Sequence, residues 1–162
     1  MSQIERKVEE GDAANIYREA WDKKYVAVTG DLFVSQDSLC HCVSRDFAMG
    51  RGIALDFKRR FGRVDELLKQ APSVGQVAYL RDGDRYIFYL VTKQRYWQKP
   101  VYEDLRKCLE DLRFKCSKLQ VKCLSMPRIG CGLDRLEWSK VQELIQAILC
   151  QDALTVTVYS QK

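Results

Sequence analysis

The stretch MPRIGCGLDRLEW, residues 126–138, connects an apolar run to a run with helical spacing. Gly130 and Gly132 alternate along it, and one carboxylate, Asp134, stands just before the helix-like run. Backbone N–H groups without side chains around them, at the start of a helix, form a favourable place for an anion. The stretch therefore predicts a strand–loop–helix unit of an α/β protein, with a loop that leaves room for a ligand.

The sequence on either side alternates between predicted strands and helices. Apolar runs predict strands at YVAVTGDLF, SLCHCVS, VKCLSM and LTVTVYS, and the first two are expected to be buried on both faces. Helical spacing predicts helices at GIALDFKRRFG, VDELLKQ, VYEDLRKCLEDLRFKCSKL and EWSKVQELIQAILC. Pro100 is expected at a helix start, and Asp82-Gly83 predicts the turn of a hairpin between two further strands. This order predicts a three-layer α/β/α sandwich around a mixed, mostly parallel sheet.

Length and composition indicate one soluble globular domain. The chain has 162 residues, of which 46% are hydrophobic and 30% charged, and no apolar run approaches the roughly 20 residues that cross a bilayer. The domain is expected over residues 25–162, with residues 1–24 as an appended arm that is helical or mobile. That arm has no apolar signal core, so a location in the nucleus or cytoplasm is expected, without secretion or a membrane. The net charge of +5 favours anionic partners.

Seven cysteines and a single histidine limit the possible chemistry. No two cysteines form a CxxC pair, so neither a disulfide framework nor a ribbon-type zinc site is expected. In a strand, Cys40 and Cys42 point to one face and His41 to the other, which favours two buried thiols over a metal site. Catalysis of the Ser-His-Asp or Cys-His type would have to use His41.

Two glycine-rich loops each open a predicted helix. Gly50 and Gly52 lead into the first helix, and Gly130 and Gly132 lead into the last. The first loop is not a Rossmann fingerprint, because Leu55 occupies the third glycine position. Either loop alone can be a plain glycine-rich turn, but two of them at helix starts favour a ligand with two phosphates.

Isolated polar residues at other strand exits have both functional and structural interpretations. Asp31 can bind an amine or hydroxyl of a ligand, or it can cap a turn. Lys93 follows an apolar strand and can face the same edge as the glycine loops, or it can be one of many solvated lysines. The segment of residues 95–99, RYWQK, can form a stacking and phosphate patch for single-stranded nucleic acid, but it is too short to be specific.

Taken together, VTGDLF, HCVS with MGRGIALDFKRRFG, YLVTK and LSMPRIGCGLDRLEW resemble the macrodomain family. Within it, they are similar to the branch of terminal ADP-ribose protein glycohydrolases, also described as O-acetyl-ADP-ribose deacetylases. The resemblance runs from about Tyr25 to Ser160. MPRIGCGLD is its specific part, whereas GDLF is shared widely among macrodomains.

The resemblance implies an α/β/α macrodomain that binds ADP-ribose in a cleft at the strand ends. It also implies that Lys93 is the catalytic nucleophile and Asp134 the acid and base that acts with it. No metal or other cofactor is implied. The positions that match the binding site are Asp31, Leu32, Ser44, Gly50, Gly52, Ile53, Arg128, Ile129, Gly130, Cys131, Gly132 and Leu133.

The implied activity is removal of mono-ADP-ribose from acidic side chains or of acetate from O-acetyl-ADP-ribose. The expected partners are ADP-ribose, its derivatives and mono-ADP-ribosylated proteins, and the expected state is a monomer. Nucleic acid is not the expected partner, because no stacking motif or contiguous basic face emerges. Phe47-Ala48, RYWQKP and the terminal YSQK depart from the family pattern, and Phe47-Ala48 is expected to reshape the pocket at the distal ribose. These departures leave open a non-catalytic reader of ADP-ribose.

Overall fold

A computed structural model of the chain describes residues 24–151 and 153–161. The arm expected over residues 1–24 lies outside the described residues, apart from Lys24. The strands are β1 (Tyr25–Thr29), β2 (Ser38–Ser44), β3 (Val77–Asp82), β4 (Arg85–Lys93), β5 (Cys123–Pro127) and β6 (Thr155–Ser160). The α-helices are α1 (Gly52–Phe61), α2 (Val64–Lys69), α3 (Tyr102–Lys118) and α4 (Trp138–Ile148), and a short 3-10 helix spans Leu32–Val34.

The six strands form one sheet in the order β1-β6-β5-β2-β4-β3. All neighbours are parallel except β3 and β4, which form the predicted antiparallel hairpin. The expectation that β1 is buried on both faces is wrong, because β1 lies at an edge of the sheet and its burial alternates along the strand. The expectation holds for β2, which lies between β5 and β4.

Helices cover both faces of the sheet and enclose two separate cores. Leu105 and Leu109 of α3 and Val141 of α4 belong to one core, and Phe57 of α1 and Leu67 of α2 belong to the other. Helices α1, α3 and α4 have 10, 17 and 11 residues and are amphipathic. Each presents one apolar stripe to the sheet, as its sequence spacing predicts. The three-layer sandwich is confirmed.

Local details differ from the sequence predictions by one or two residues. The hairpin turn is Gly83-Asp84, one residue later than predicted, and Gly83 has a φ of 64° that suits glycine. Helix α3 begins at Tyr102 after Val101, so Pro100 precedes the helix and is not its first residue. These shifts leave the order of elements unchanged.

The five parallel strands all end at the same edge of the sheet, namely the one formed by their carboxyl ends. The exits of β1, β2, β4 and β5 therefore bring the predicted site residues to one edge, where ligands of open α/β sheets bind. Among the described helices, none has the length and apolar character needed to span a membrane.

Candidate active site

An ion pair between Lys93 and Asp134 lies at this edge. The Nζ of Lys93, at the end of β4, donates a hydrogen bond of 2.6 Å to Oδ1 of Asp134, in the loop after β5. The two side chains are only 13% and 17% exposed, so both charges are largely shielded from water. Two shielded, oppositely charged groups in contact can exchange a proton without solvent between them.

An irregularity in the sheet positions Lys93. Val43 of β2 pairs with Val91 of β4, but the next residue, Ser44, pairs with Lys93, so that Thr92 is an extra residue on β4. Thr92 is buried, and its hydroxyl donates a 3.4 Å hydrogen bond to the carbonyl of Val43. Bulges of this kind turn the following side chain and are frequent beside active sites.

The loop that carries Asp134 folds back on itself. The N–H of Leu136 donates to the carbonyl of Gly130 at 2.7 Å, and Gly130 has a φ of 77°. A Cβ at Gly130 would lie 2.9 Å from the Leu136 side chain, whereas a Cβ at Gly132 would have no neighbour within 4 Å in the part of the chain that the structure describes. Gly130 is thus required by the loop's own conformation, and Gly132 leaves open space on its exposed side.

The second glycine loop meets the first at the start of α1. Arg51 is the N-cap residue of α1 and makes no side-chain capping hydrogen bond. Gly52 has a φ of 59°, and a Cβ there would lie 3.5 Å from Leu133. The first-turn N–H groups of α1 and the exposed Gly50 therefore lie beside the Gly130–Leu133 loop, and the helix dipole favours an anion there.

Asp46 ties the loop after β2 to the segment after β4, and sequence reasoning missed it. Its Oδ1 accepts hydrogen bonds from the Ser44 hydroxyl (2.5 Å) and the Ala48 N–H (3.1 Å), and its Oδ2 accepts one from the Tyr96 N–H (3.2 Å). Partial burial acts to raise the pKa of Asp46, but these hydrogen bonds and the charge of Arg95 lower it below its ordinary value. The signal that could have indicated this role is the acid two residues after Ser44, a spacing typical of local side-chain turns.

The backbone after Asp46 is strained. Phe47 and Met49 have φ values of 52° and 44°, and both side chains are buried. The effect of Phe47-Ala48 on the pocket at the distal ribose stays a prediction; the Phe47 side chain itself is buried in the core, with its ring centroid 6.3 Å from that of Tyr89. Left-handed conformations of such residues cost about 1–3 kcal/mol each and persist where surrounding contacts fix them, as they do at many functional sites.

The exit of β1 lies at the same edge but next to β6. The N–H of Gly30 donates to the carbonyl of Ser160 (2.9 Å), and Nε of Arg128 donates to the Ser160 hydroxyl (2.9 Å). The Oδ1 of Asp31 accepts from the N–H of Phe33 at 2.9 Å, so Asp31 caps the short 3-10 helix. Asp31 therefore has the capping role that was the structural interpretation of its sequence position. Among the described residues, Oδ2 of this exposed carboxylate remains available to a ligand.

The predicted site residues differ in what they present to this edge. The side chains of Leu32, Ser44 and Ile129 are buried, so Leu32 and Ile129 can offer a ligand only backbone groups. Ile53, the second residue of α1, is partly buried and packs against the core under that helix. The residues that lie at the edge with exposed or half-buried atoms are Asp31, Gly50, Gly52, Lys93, Arg128, Gly130, Cys131, Gly132, Leu133 and Asp134.

Neither Cys131 nor His41 is a suitable nucleophile or base. Burial raises the pKa of the Cys131 thiol, which donates to the Ile129 carbonyl at 3.4 Å, so the thiol stays protonated at neutral pH. His41 is 1% exposed and stacks on Phe57 with ring centroids 3.7 Å apart, so it belongs to the core between the sheet and α1. Cys40 packs in the opposite core, as the strand alternation predicted.

Comparison with known proteins identifies similar chains. The Macro domain family matches residues 40–145. The chain is 51% identical over 135 residues to ADP-ribose glycohydrolase OARD1 of Bos taurus. The aligned region covers 82% of this chain and 89% of the relative. It is 46% identical over 150 residues to ADP-ribose glycohydrolase OARD1 of Homo sapiens. That aligned region covers 91% of this chain and 99% of the relative.

A solved structure shares the architecture. The macrodomain of Thermus aquaticus DarG superposes with a TM-score of 0.74 at 28% sequence identity. The superposition covers 85% of this chain and 97% of that chain.

Proposed function

This chain belongs to the Macro domain family, and we propose that it is a hydrolase that removes mono-ADP-ribose from acidic side chains of proteins. The same site would remove acetate from O-acetyl-ADP-ribose. The observation that carries the proposal is the shielded Lys93–Asp134 contact of 2.6 Å beside the two glycine loops. Its relatives named as ADP-ribose glycohydrolases support the same activity.

ADP-ribose lies across the strand ends in this proposal. The N–H groups at the start of α1 and those of Gly132 and Leu133 bind the pyrophosphate, because N–H groups without a backbone acceptor and a helix dipole favour anions. The N–H of Cys131 is already used, since it donates to the Arg128 carbonyl at 3.3 Å. Asp31 accepts hydrogen bonds from the adenosine end, beside the exit of β1. The distal ribose lies near Ser44 and Gly50, which places its anomeric carbon, C1, next to Lys93.

The first step is displacement of the acyl group at C1. The Lys93 ammonium passes a proton to the Asp134 carboxylate, and the freed lone pair on Nζ attacks C1. The bond between C1 and the acyl oxygen breaks, and its electron pair leaves with the carboxylate of the protein side chain. Asp134 donates the proton it has received to the departing oxygen, so the side chain leaves as a carboxylic acid and Asp134 is again a carboxylate.

The second step is hydrolysis of the ribosyl-lysine adduct. The Asp134 carboxylate accepts a proton from water as the water oxygen attacks C1. The bond between C1 and Nζ breaks, its electron pair returns to nitrogen, and Nζ takes the proton from Asp134. Free ADP-ribose leaves, and the original ion pair is restored.

We also propose that the protein acts in the nucleus or cytoplasm. Cys40, Cys42, Cys108, Cys116, Cys131 and Cys150 carry free thiols, which suits a reducing compartment.

The test is release of free ADP-ribose from a glutamate-modified protein by wild type, Lys93→Ala and Asp134→Ala. A matched control is Lys115→Ala, since Lys115 and Asp111 form an ion pair of 2.7 Å with side chains 25% and 24% exposed on α3. Release by wild type and the control, with loss in both site variants, supports the hydrolase. Binding of ADP-ribose by wild type without any release would instead identify a non-catalytic reader.

A further inference from the structure

Six consecutive exposed residues, Gln94–Lys99, follow the nucleophile position Lys93. Tyr96 and Trp97 at the centre of this segment are 61% and 64% exposed, and their rings are in edge contact with centroids 5.4 Å apart. Exposed aromatic side chains are costly to leave in water and are enriched at the centres of protein interfaces. The exposure of both rings leaves them open to a partner next to Lys93.

The segment is held to both sides of the site. The N–H of Tyr96 donates to Asp46, in the loop after β2, at 3.2 Å. The Nζ of Lys99 donates to the carbonyl of Leu133, in the loop after β5, at 3.1 Å. Within the segment, the N–H of Arg95 donates to the Gln98 side chain at 2.8 Å. Because two contacts anchor the segment and a third braces it internally, the aromatic pair has a defined place and loses less conformational entropy on binding than a free loop.

Apolar surface and positive charge combine around the pair. Leu133, whose carbonyl accepts from Lys99, is 55% exposed, and Val101, two residues after the segment, is 54% exposed. With Tyr96 and Trp97, four of the seven large exposed hydrophobic side chains among the described residues therefore lie in the segment or next to it. Arg95 belongs to the segment, and Nη1 of the neighbouring Arg45 donates to the Gln94 side chain at 3.4 Å. The nearby carboxylate of Asp46 is half-buried and accepts hydrogen bonds from the Ser44 hydroxyl and the Tyr96 N–H.

A pocket of about 370 Å³ adjoins the segment, and Lys93 is the residue that it shares with the site. Its wall is formed by Lys93, Gln94, Gln98 and Lys99 together with Val74, Thr92 and Asp104. The amide and ammonium groups are hydrogen-bond donors for a carboxylate or for peptide carbonyls, and two lysines face the single carboxylate of Asp104. A chain bound along the segment can therefore reach the point where the acyl group leaves.

We propose that Gln94–Lys99, with Tyr96 and Trp97 as anchors, binds the acidic polypeptide that carries the ADP-ribose. The proposal rests on the function proposed above and adds a docking site for the protein part of the substrate. Aromatic anchors beside Arg45, Arg95 and Lys99 fit a chain with carboxylates and apolar side chains. Single-stranded nucleic acid fits less well, because the Tyr96 and Trp97 rings meet at 87° and offer successive bases no common stacking plane.

The experiment measures binding in a Lys93→Ala background, so that turnover does not interfere. The probes are free ADP-ribose, an acidic peptide with one ADP-ribosylated glutamate, and a single-stranded oligonucleotide carrying one ADP-ribose. The test variant adds Tyr96→Ser and Trp97→Ser. The matched control adds Phe114→Ser, because Phe114 is 63% exposed and lies twelve residues into α3, about 18 Å further along the helix.

We expect the modified peptide to bind at least about tenfold more tightly than free ADP-ribose, an increment typical of two interface anchors. The double serine variant removes this advantage and leaves affinity for free ADP-ribose unchanged, whereas Phe114→Ser changes neither. Equal affinity for peptide and ADP-ribose, an equal loss for both, or a larger advantage for the oligonucleotide overturns the proposal. Release of ADP-ribose by wild type is measured separately. Tighter binding of the peptide without any release would support the docking site and refute the proposed hydrolase activity.

Discussion

Lys93 and Asp134 lie 41 positions apart in the sequence, and their side chains meet at 2.6 Å. The contact joins the end of β4 to the loop after β5, two strands that are separated in the sheet by β2. Lys93 is fixed by a strand, whereas Asp134 stands in a loop that the hydrogen bond from the Leu136 N–H to the Gly130 carbonyl holds closed. This arrangement places the proposed nucleophile in contact with its proposed proton acceptor.

Asp134→Asn tests the proton-transfer role. The amide keeps the size of the side chain but cannot accept the proton of Lys93, so we expect the rate of ADP-ribose release to fall by about 10²–10⁴-fold. Affinity for ADP-ribose, measured by calorimetry, should persist. Asp111→Asn is the matched control, since Asp111 pairs with Lys115 on α3. Near-normal release by Asp134→Asn would refute the assignment.

The two glycines of the Asp134 loop should respond differently to substitution. At Gly132 the space is open, so Gly132→Leu should leave the free energy of unfolding within about 0.5 kcal/mol of wild type. It should weaken ADP-ribose binding by at least about tenfold, because the side chain occupies the proposed phosphate position. Normal binding of ADP-ribose by Gly132→Leu would contradict that position.

Substitution of Gly130 should instead destabilise the fold, because the loop conformation requires glycine there. The φ of 77° and the 2.9 Å approach to Leu136 should make Gly130→Ala lose about 1–2 kcal/mol of unfolding free energy. Urea unfolding measures the difference. Stability equal to wild type would show that the loop relaxes around an alanine.

Asp46→Ala should loosen both loops that this side chain connects. Three donors lose their acceptor, so we expect a loss of about 1–3 kcal/mol in unfolding free energy. Hydrogen exchange should accelerate at the amides of Ala48 and Tyr96, which donate to the carboxylate. Asp56→Ala, on the exposed face of α1, is the control. Unchanged exchange at Tyr96 would mean that other contacts fix the segment.

His41 should make the fold sensitive to acid. Burial lowers its pKa in the folded state to about 3 from the ordinary 6.5, and neither ring nitrogen has a hydrogen-bond partner among the described residues. The unfolded chain thus binds a proton that the folded chain excludes. Stability is complete above pH 6.5 and falls by about 1.4 kcal/mol per pH unit below it, towards pH 3.

His41→Phe removes this titration and retains an aromatic ring against Phe57. We expect urea unfolding at pH 7, 6 and 5 to show a shallower loss of stability for the variant than for wild type. At pH 7 the variant should be at least as stable, because two unpaired buried nitrogens are gone. Parallel pH curves for the two proteins would exclude His41 as the cause.

Much of the fold follows from local patterns in the sequence. Alternation in β2 predicts that Cys40 and His41 lie on opposite faces of the sheet, and they do. Turn residues predict the hairpin, and apolar spacing predicts the helices. The edge position of β1 could not be predicted, because it depends on the order of strands in the sheet. An apolar run of five residues reads the same at an edge as in the centre.

The site was only partly predictable for a related reason. Lys93, Asp134 and the glycine loops stand in motifs with recognisable spacing. The extra residue Thr92 and the contact of Asp46 with Tyr96 depend on pairing between strands about 50 residues apart in the chain. No local pattern encodes such pairing, so the bulge that turns Lys93 and the tie between the loops emerge only in the folded structure.

The most direct measurement is the covalent state of Lys93 during a single turnover. Wild-type protein in excess over a glutamate-modified substrate is quenched with acid at successive times, and its peptides are mapped by mass spectrometry. ADP-ribose should appear on the peptide that contains Lys93 and then decay as free ADP-ribose accumulates. Release of ADP-ribose at the normal rate while Lys93 stays unmodified at every time would contradict the lysine nucleophile.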